Sequence, residues 1–396
     1  MVKNRHNTKL ASSAGIYLHV PFCIFKCPYC DFYSIESGID EESSRKSFVD
    51  SLLSEIKVNP PTNLDIGTVY FGGGTPSMLS GDQIKEILDS LKKHFRILGE
   101  AEITLEANPD EIKKDKLHAY KEAGVNRLSI GAQSFQPEEL KTLGRIHSPE
   151  DIVAAVEAAR ESGFENFNLD LIYGIPGQSV DSVRENVKKV IRLKPKHISV
   201  YSLTYEEGTP FYGMKERGEI TPVDEKLEAE MSAAIIEFLE NADYKRYEIS
   251  SYSLPGYKSM HNSSYWNGAT YYGFGPSAHS FDGKVRWWNL PDVDSYIKKI
   301  NNGESPIAGR EELSREQLIF ERIFLKLRTT EGLHLPSFER EFDIVFENRY
   351  ETQLKKVDEL NEPGQEPILL IENDFLFLSD YGMKYSEEIS ALFAPQ

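Results

Sequence analysis

An α/β fold is predicted: a partial (βα)6 barrel followed by a small C-terminal winged-helix-like α+β domain. Three observations predict it. Short runs of β-branched, leucine and aromatic residues alternate with helix-like stretches as far as residue 242, and repeated βα units imply a parallel sheet with its helices outside. Six such units are too few to close an eight-fold barrel. Near the C-terminus a helical stretch is followed by a hairpin pattern.

The expected strands are Gly15–Val20, Thr68–Phe71, Glu102–Glu106, Arg127–Ile130, Asn166–Ile172 and His197–Leu203. The helices between and after them are Ser44–Lys57, Gly81–His94, Lys113–Ala123, Pro149–Ser162, Val180–Leu193 and Val223–Asn241. Ser148 before Pro149 is an N-cap signal, and Gly124 is a stop signal. After residue 242 the period is lost. Tyr244–Ser250 reads as one more strand, and the aromatic, glycine-rich MHNSSYWNGATYYGFGPSAHSFDGKVRWWN reads as a packed loop region. From Glu311 the chain turns helical through Arg328 and ends in a hairpin whose turn is Glu372-Asn373-Asp374. The division is therefore 1–242 for the barrel, 243–310 for an extension and 311–396 for the C-terminal domain.

Bulk properties exclude several classes. No apolar run is long enough to cross a membrane. The basic first fifteen residues lack an apolar signal core and read as a frayed start. A net charge of −18 argues against nonspecific binding to nucleic acid or anionic lipid.

All three cysteines lie within eight residues, at Cys23, Cys27 and Cys30. Thiolates bind soft metals and iron–sulfur clusters, so C-x3-C-x2-C reads first as a ligand set. A closed zinc site or a ferredoxin cluster takes four ligands. Three protein ligands leave one metal position open for chemistry. Two blander readings stand beside this one: a zinc site completed by His19, or three reduced structural thiols. An odd number of cysteines in one short loop is no disulfide framework and points to a reducing compartment.

Other polar residues fall at strand ends, where ligands bind in parallel α/β folds. Phe71-Gly72-Gly73-Gly74-Thr75-Pro76 ends the second strand, and its glycines allow close backbone approach to a ligand. Glu106, Gln133 and Asp170 lie at later strand ends, with Arg145 slightly downstream. Each alone is as readily a buried polar residue serving the backbone; converging on one rim, they favour a polar small-molecule site.

Tyr17-Leu18-His19-Val20-Pro21-Phe22-Cys23-x3-Cys27-Pro28-Tyr29-Cys30 resembles the signature of radical S-adenosylmethionine (SAM) proteins. More narrowly, the chain is similar to the branch that holds oxygen-independent coproporphyrinogen III dehydrogenase and the HemW heme chaperones. GGGTPS, EANP, NRLSIGAQSF, DLIYGIPGQ and HNSSYW extend the likeness over most of the chain. The resemblance implies a radical SAM barrel in which the three thiolates hold a [4Fe-4S] cluster, its fourth iron chelated by SAM. A reduced cluster of this type cleaves SAM to a carbon radical. The resemblance also implies that Tyr17 and Tyr29 lie by cluster and SAM, and that Gly73, Gly74 and Thr75 bind the methionine moiety. Glu106, Gln133, Arg145, Asp170 and Thr204 would line the SAM pocket, with the GIPG segment behind the adenine.

Two departures separate the branches. The coproporphyrinogen enzymes carry a further cysteine two residues beyond the third ligand, where this chain has Phe32, and a longer N-terminal segment than the roughly fourteen residues here. Both favour the heme chaperones, as does HNSSYW, in which His261 is a candidate heme ligand. The implied function is binding heme and transferring it to acceptor apoproteins in the cytoplasm. The alternative is oxidative decarboxylation of coproporphyrinogen III. The implied partners are heme and heme-accepting apoproteins, with no nucleic acid, no transmembrane segment and at most a transient contact with a membrane.

Overall fold

A computed structural model describes residues 13–38, 42–58 and 64–395; the basic start as far as residue 12 lies outside them. The six expected strands form as β1 (Ala14–Val20), β2 (Asp65–Gly73), β3 (Arg96–Ala107), β4 (Arg127–Gln133), β5 (Phe167–Tyr173) and β6 (His197–Ser202). They lie side by side in chain order, all parallel. The six helices also form, as α1 (Glu42–Val58), α2 (Gly81–His94), α3 (Lys114–Ala123), α4 (Pro149–Glu161), α5 (Val180–Arg192) and α6 (Glu225–Glu240). Ser148 caps α4 in a reciprocal box with Asp151. Gly124 ends α3 in the left-handed conformation, at φ 115°.

Alternation along the strands separates two environments. Ile16, Leu18 and Val20 of β1, Val69 and Phe71 of β2, and Ile198 and Val200 of β6 join the main hydrophobic core with residues of the helices. The intervening residues face the lumen and are polar or aromatic: Tyr17 stacks on Tyr70, Ser129 donates to Asp170, and Asn168 meets His197.

The sheet does not close. Beyond β6 it continues with β8 (Ser251–Ser253) and then β7 (Lys245–Arg246). Beyond β1 it continues with β9 (Tyr271–Phe274), β10 (His279–Phe281), β11 (Val285–Asn289) and β12 (Ile307–Glu312). Of the expected strand 244–250 only Lys245–Arg246 forms, and its antiparallel neighbour Ser251–Ser253 lies just beyond that range. The expected loop region is instead regular structure: helix α7 (Met260–Trp266) and three strands. Its aromatics are spaced by glycines that turn the chain, and this hides the strand period. Helix α8 (Val293–Asn301) packs on α1. The helix expected from Glu311 begins later, at Arg315, because β12 runs to Glu312; it forms α9 (Arg315–Leu327), capped by Ser314 and Gln317.

The C-terminal region has its own hydrophobic core, built around Ile323, Phe338, Phe346 and Leu376. Helices there pack on a three-stranded sheet whose hairpin strands, Leu369–Glu372 and Phe375–Leu378, meet at the expected turn. Asn373 and Asp374 both have positive φ, 49° and 69°, the handedness that suits a two-residue hairpin. An Arg286–Glu321 fork and the Arg328 guanidinium over the Trp266 ring join this region to the barrel extension.

One buried carboxyl clamps the extension to the barrel. Glu55 on α1 accepts from the Gly275 N–H at 2.8 Å, Asn289 Nδ2 at 2.7 Å and the Tyr296 hydroxyl at 2.7 Å. Burial pushes it up to about 7, outweighing the three donors, which act the other way. A raised carboxyl stabilises the fold most below its unfolded value, and that contribution is lost as pH rises through about 7. The wild type should therefore lose on the order of 3 kcal/mol relative to Glu55→Gln between about pH 4.5 and 7. Denaturant unfolding of both proteins across that window measures it, and a pH-independent difference contradicts it.

Candidate functional site

The cysteine loop leaves β1 at the mouth of the barrel. Its neck is closed by a short parallel pairing of Phe22–Cys23 with Ile35–Glu36. Cys27 is buried, whereas Cys23 and Cys30 are half-buried. Burial pushes the Cys23 and Cys30 thiols up, the latter to about 11.

An arc of polar side chains holds the loop against the next strand ends. Thr75 Oγ1 lies 3.5 Å from Cys23 Sγ, and Asn108 Nδ2 donates to Thr75 Oγ1 at 3.1 Å. Arg145 Nη2 reaches Asn108 Oδ1 at 2.5 Å and the Gly131 carbonyl at 3.0 Å, while Nη1 lies 3.4 Å from Cys27 Sγ. Strand ends β2, β3 and β4 and the segment carrying Arg145 thus meet the loop at two of its three thiols.

The glycine run is dictated by close approach. Gly74 N–H bonds to the Val20 carbonyl, and a Cβ at Gly74 would lie 2.6 Å from the Phe22 carbonyl oxygen. Gly73 has φ 108°, and a Cβ there would strike the His19 ring.

Deeper in the lumen, Glu106 and Asp170 are half-buried carboxyls. Tyr70 donates to Glu106 at 2.6 Å. Burial, reinforced by the nearby Asp170 charge, raises Glu106 to about 7. Asp170 is raised by burial against donors from Asn168, Ser199 and Ser129. Gln133 ends β4 at φ 62°, so its side chain leaves the strand direction and approaches Gly131. Tyr17 lines the same space, stacked on Tyr70. Tyr29 packs toward Phe211, beside the small cluster that buries Ile175 of the GIPG segment. Thr204 is exposed just past β6.

His19 and His261 sit differently from their expected roles. His19 Nε2 donates to the Tyr33 carbonyl at 2.7 Å, and Nδ1 accepts from the Tyr17 hydroxyl at 3.1 Å. Burial lowers it to about 4. With both nitrogens committed, it fixes the returning arm of the loop instead of completing a zinc site. His261 is 1% exposed. Its Nδ1 bonds Thr68 Oγ1 at 2.8 Å and its Nε2 the Tyr265 hydroxyl at 3.0 Å, while its ring stacks on Tyr70. The first turn of α7 is held by Glu102, which accepts from the backbone N–H of Met260 and His261. HNSSYW is therefore a plug inside the barrel, and the setting offers no open nitrogen of His261 to iron.

Sequence reasoning missed Tyr70, Arg127 and His197, and met Asn108 only as part of the EANP strand end. The available signal was alternation: Thr68 and Tyr70, or Arg127 and Ser129, interrupt apolar strands at every second position.

Residues 17–190 match the family model of the radical SAM superfamily, and residues 313–383 that of the HemN C-terminal domain. Heme chaperone HemW of Bacillus subtilis is 36% identical over 346 residues, covering 87% of this chain and 90% of the relative. Heme chaperone HemW of Escherichia coli is 40% identical over 273 residues, covering 68% of this chain and 70% of the relative. This chain is a member of the HemW family. A solved structure of E. coli coproporphyrinogen III oxidase (HemN), described as a radical SAM enzyme, superposes with TM-score 0.82 over 98% of this chain and 93% of that one. At 23% identity that likeness is one of fold.

Membership of the radical SAM superfamily implies a [4Fe-4S] cluster and SAM, and the donor set of this HemW-family chain fits them. A cuboidal cluster takes one thiolate at each of three iron corners, whereas a single ion gathers all its donors round one centre. The three thiols lie close enough to feel one another's charge. Anaerobic reconstitution should give about four irons and four sulfides per chain. Replacing any of Cys23, Cys27 or Cys30 by Ala should abolish that content; stoichiometric zinc without sulfide in the wild type contradicts the assignment.

Proposed function

We propose that this protein is a heme chaperone: it binds heme and passes it to acceptor apoproteins, with the cluster and SAM governing assembly or transfer. The observation that carries the reading is kinship, 36% identity over 90% of a relative named as a heme chaperone. In this reading Cys23, Cys27 and Cys30 hold the cluster. Tyr17, Gly73, Gly74 and Thr75, with Glu106, Gln133, Arg145 and Asp170, form the SAM pocket; Tyr29 and Thr204 complete its rim. A [4Fe-4S] cluster of this class supplies an electron to SAM. The residues of this chain position the ligands and exclude water.

The geometry supports a zwitterionic ligand at the mouth. Backbone groups of the glycine run approach closely, and carboxyls and the Arg145 guanidinium converge below it. Residues 1–242 then carry the cluster and SAM, 243–310 extend the sheet, and 311–396 cap the molecule. Its action belongs in this reading to the cytoplasm; among the described residues no helix is long and apolar enough to cross a membrane.

Oxidative decarboxylation of coproporphyrinogen III is the second reading, supported by the fold likeness alone. Phe32 stands where those enzymes carry their further cysteine, and its ring is 65% exposed on the loop.

Two measurements check the proposal. The reconstituted protein should bind about one equivalent of heme without converting coproporphyrinogen III to protoporphyrinogen IX; efficient SAM-dependent conversion would promote the second reading. Glu106→Ala or Asp170→Ala should weaken SAM binding ten- to a hundredfold, the loss of about 1.5–3 kcal/mol from a charged hydrogen bond. Unchanged SAM affinity in both variants, with the fold and cluster intact, removes these residues from the pocket.

A further inference from the structure

We infer that His279 is the protein ligand to heme iron, in the cavity between the cysteine loop and the β9–β10 hairpin. This rests on the heme-carrier reading. The cavity measures about 370 Å³ and is lined by Tyr17, Phe32, Tyr33, Tyr265, Tyr271 and His279, with Asp31, Ser277 and His19 beside them. Its size and aromatic lining suit part of a flat, largely apolar macrocycle. Asp31, Phe32 and His279 are exposed, so the cavity opens to solvent. A carrier that must release its cargo needs such an edge.

Histidine is a usual protein ligand to heme iron, and the described histidines can be compared. His19, His197 and His261 each use both ring nitrogens inside the barrel. His147 is buried and bonds a carbonyl. His94, His118 and His334 lie on or beside helices away from the cavity. His279 lines the cavity, is exposed, and among the described residues neither of its ring nitrogens has a hydrogen-bond partner. Its ring stacks on Trp288 at 5.8 Å and 22° between planes, which holds the imidazole in one orientation without occupying its nitrogens. The turn before it passes through Ser277 at φ 63°, fixed by a bond from its N–H to the Leu290 carbonyl. The ligand is thus presented by a rigid hairpin, facing the loop segment that directly follows Cys30.

Ferric heme titrated into the reconstituted protein tests this by the Soret spectrum and dissociation constant. His279→Gly should shift the Soret band and weaken binding at least tenfold, and added imidazole should restore the wild-type spectrum. His118→Ala, on an outer helix, should behave as wild type. A wild-type Soret band and affinity in His279→Gly overturns the ligand assignment while leaving the carrier reading intact. A wild-type protein that binds no heme overturns both. A spectral loss in His279→Gly that imidazole does not repair, with the cluster content and unfolding midpoint unchanged, also overturns direct ligation.

Discussion

Parallel strands with one face toward helices and the other toward a lumen must resolve what fills the lumen. In this protein the filling is polar, and its buried charge sets much of the surrounding structure. Arg127 is 2% exposed at the start of β4. Glu102 faces it from β3 at 3.9 Å, while Glu106 and Asp170 lie nearby and feel its charge. A cation this deep is tolerated only with carboxylates close by, because removing one partner of a buried pair costs about 3–5 kcal/mol. Glu102 in turn holds the first turn of α7, so the plug of the barrel is tied to the same charge. His197, stripped of solvent, is kept neutral between Asn168 and Tyr247.

The mouth of the barrel is organised from this floor upward. Tyr70 links the His261 plug below to Glu106 and Tyr17 above. Tyr17 bonds His19, and His19 holds the backbone of Tyr33 at the far end of the cysteine loop. On the other side, Arg145, Asn108 and Thr75 reach Cys27 and Cys23. The loop is thus gripped at both ends by side chains whose own positions are set by the lumen.

Much of this was legible in the sequence, for physical reasons. Six strands and six helices carried strong period and cap signals, such as Ser148 with Asp151 and Gly124. The thiol triplet declared itself by spacing and by the missing fourth ligand. The extension was not legible because its strands β9 to β11 are short, aromatic and interrupted by glycines, so no period of two survives. His261 shows the limit of a motif. Its residue type suggests a ligand, yet only the fold reveals that Thr68 and Tyr265 occupy both nitrogens. His279 carries no motif at all; its setting comes from a hairpin whose strands, Tyr271–Phe274 and His279–Phe281, are too short to show a period.

Heme bound at His279 would sit beside the cluster-bearing loop, since Asp31, Phe32 and Tyr33 follow Cys30 directly and line the proposed cavity. The most direct test is electron paramagnetic resonance of the reconstituted cluster after mild oxidation to its paramagnetic [3Fe-4S]+ form, with and without bound ferric heme, a state in which both centres are oxidised. Two paramagnets sharing one wall should couple, so bound heme should broaden the cluster signal and speed its relaxation. An unchanged cluster signal in protein that demonstrably carries one ferric heme would place the heme elsewhere and contradict the account.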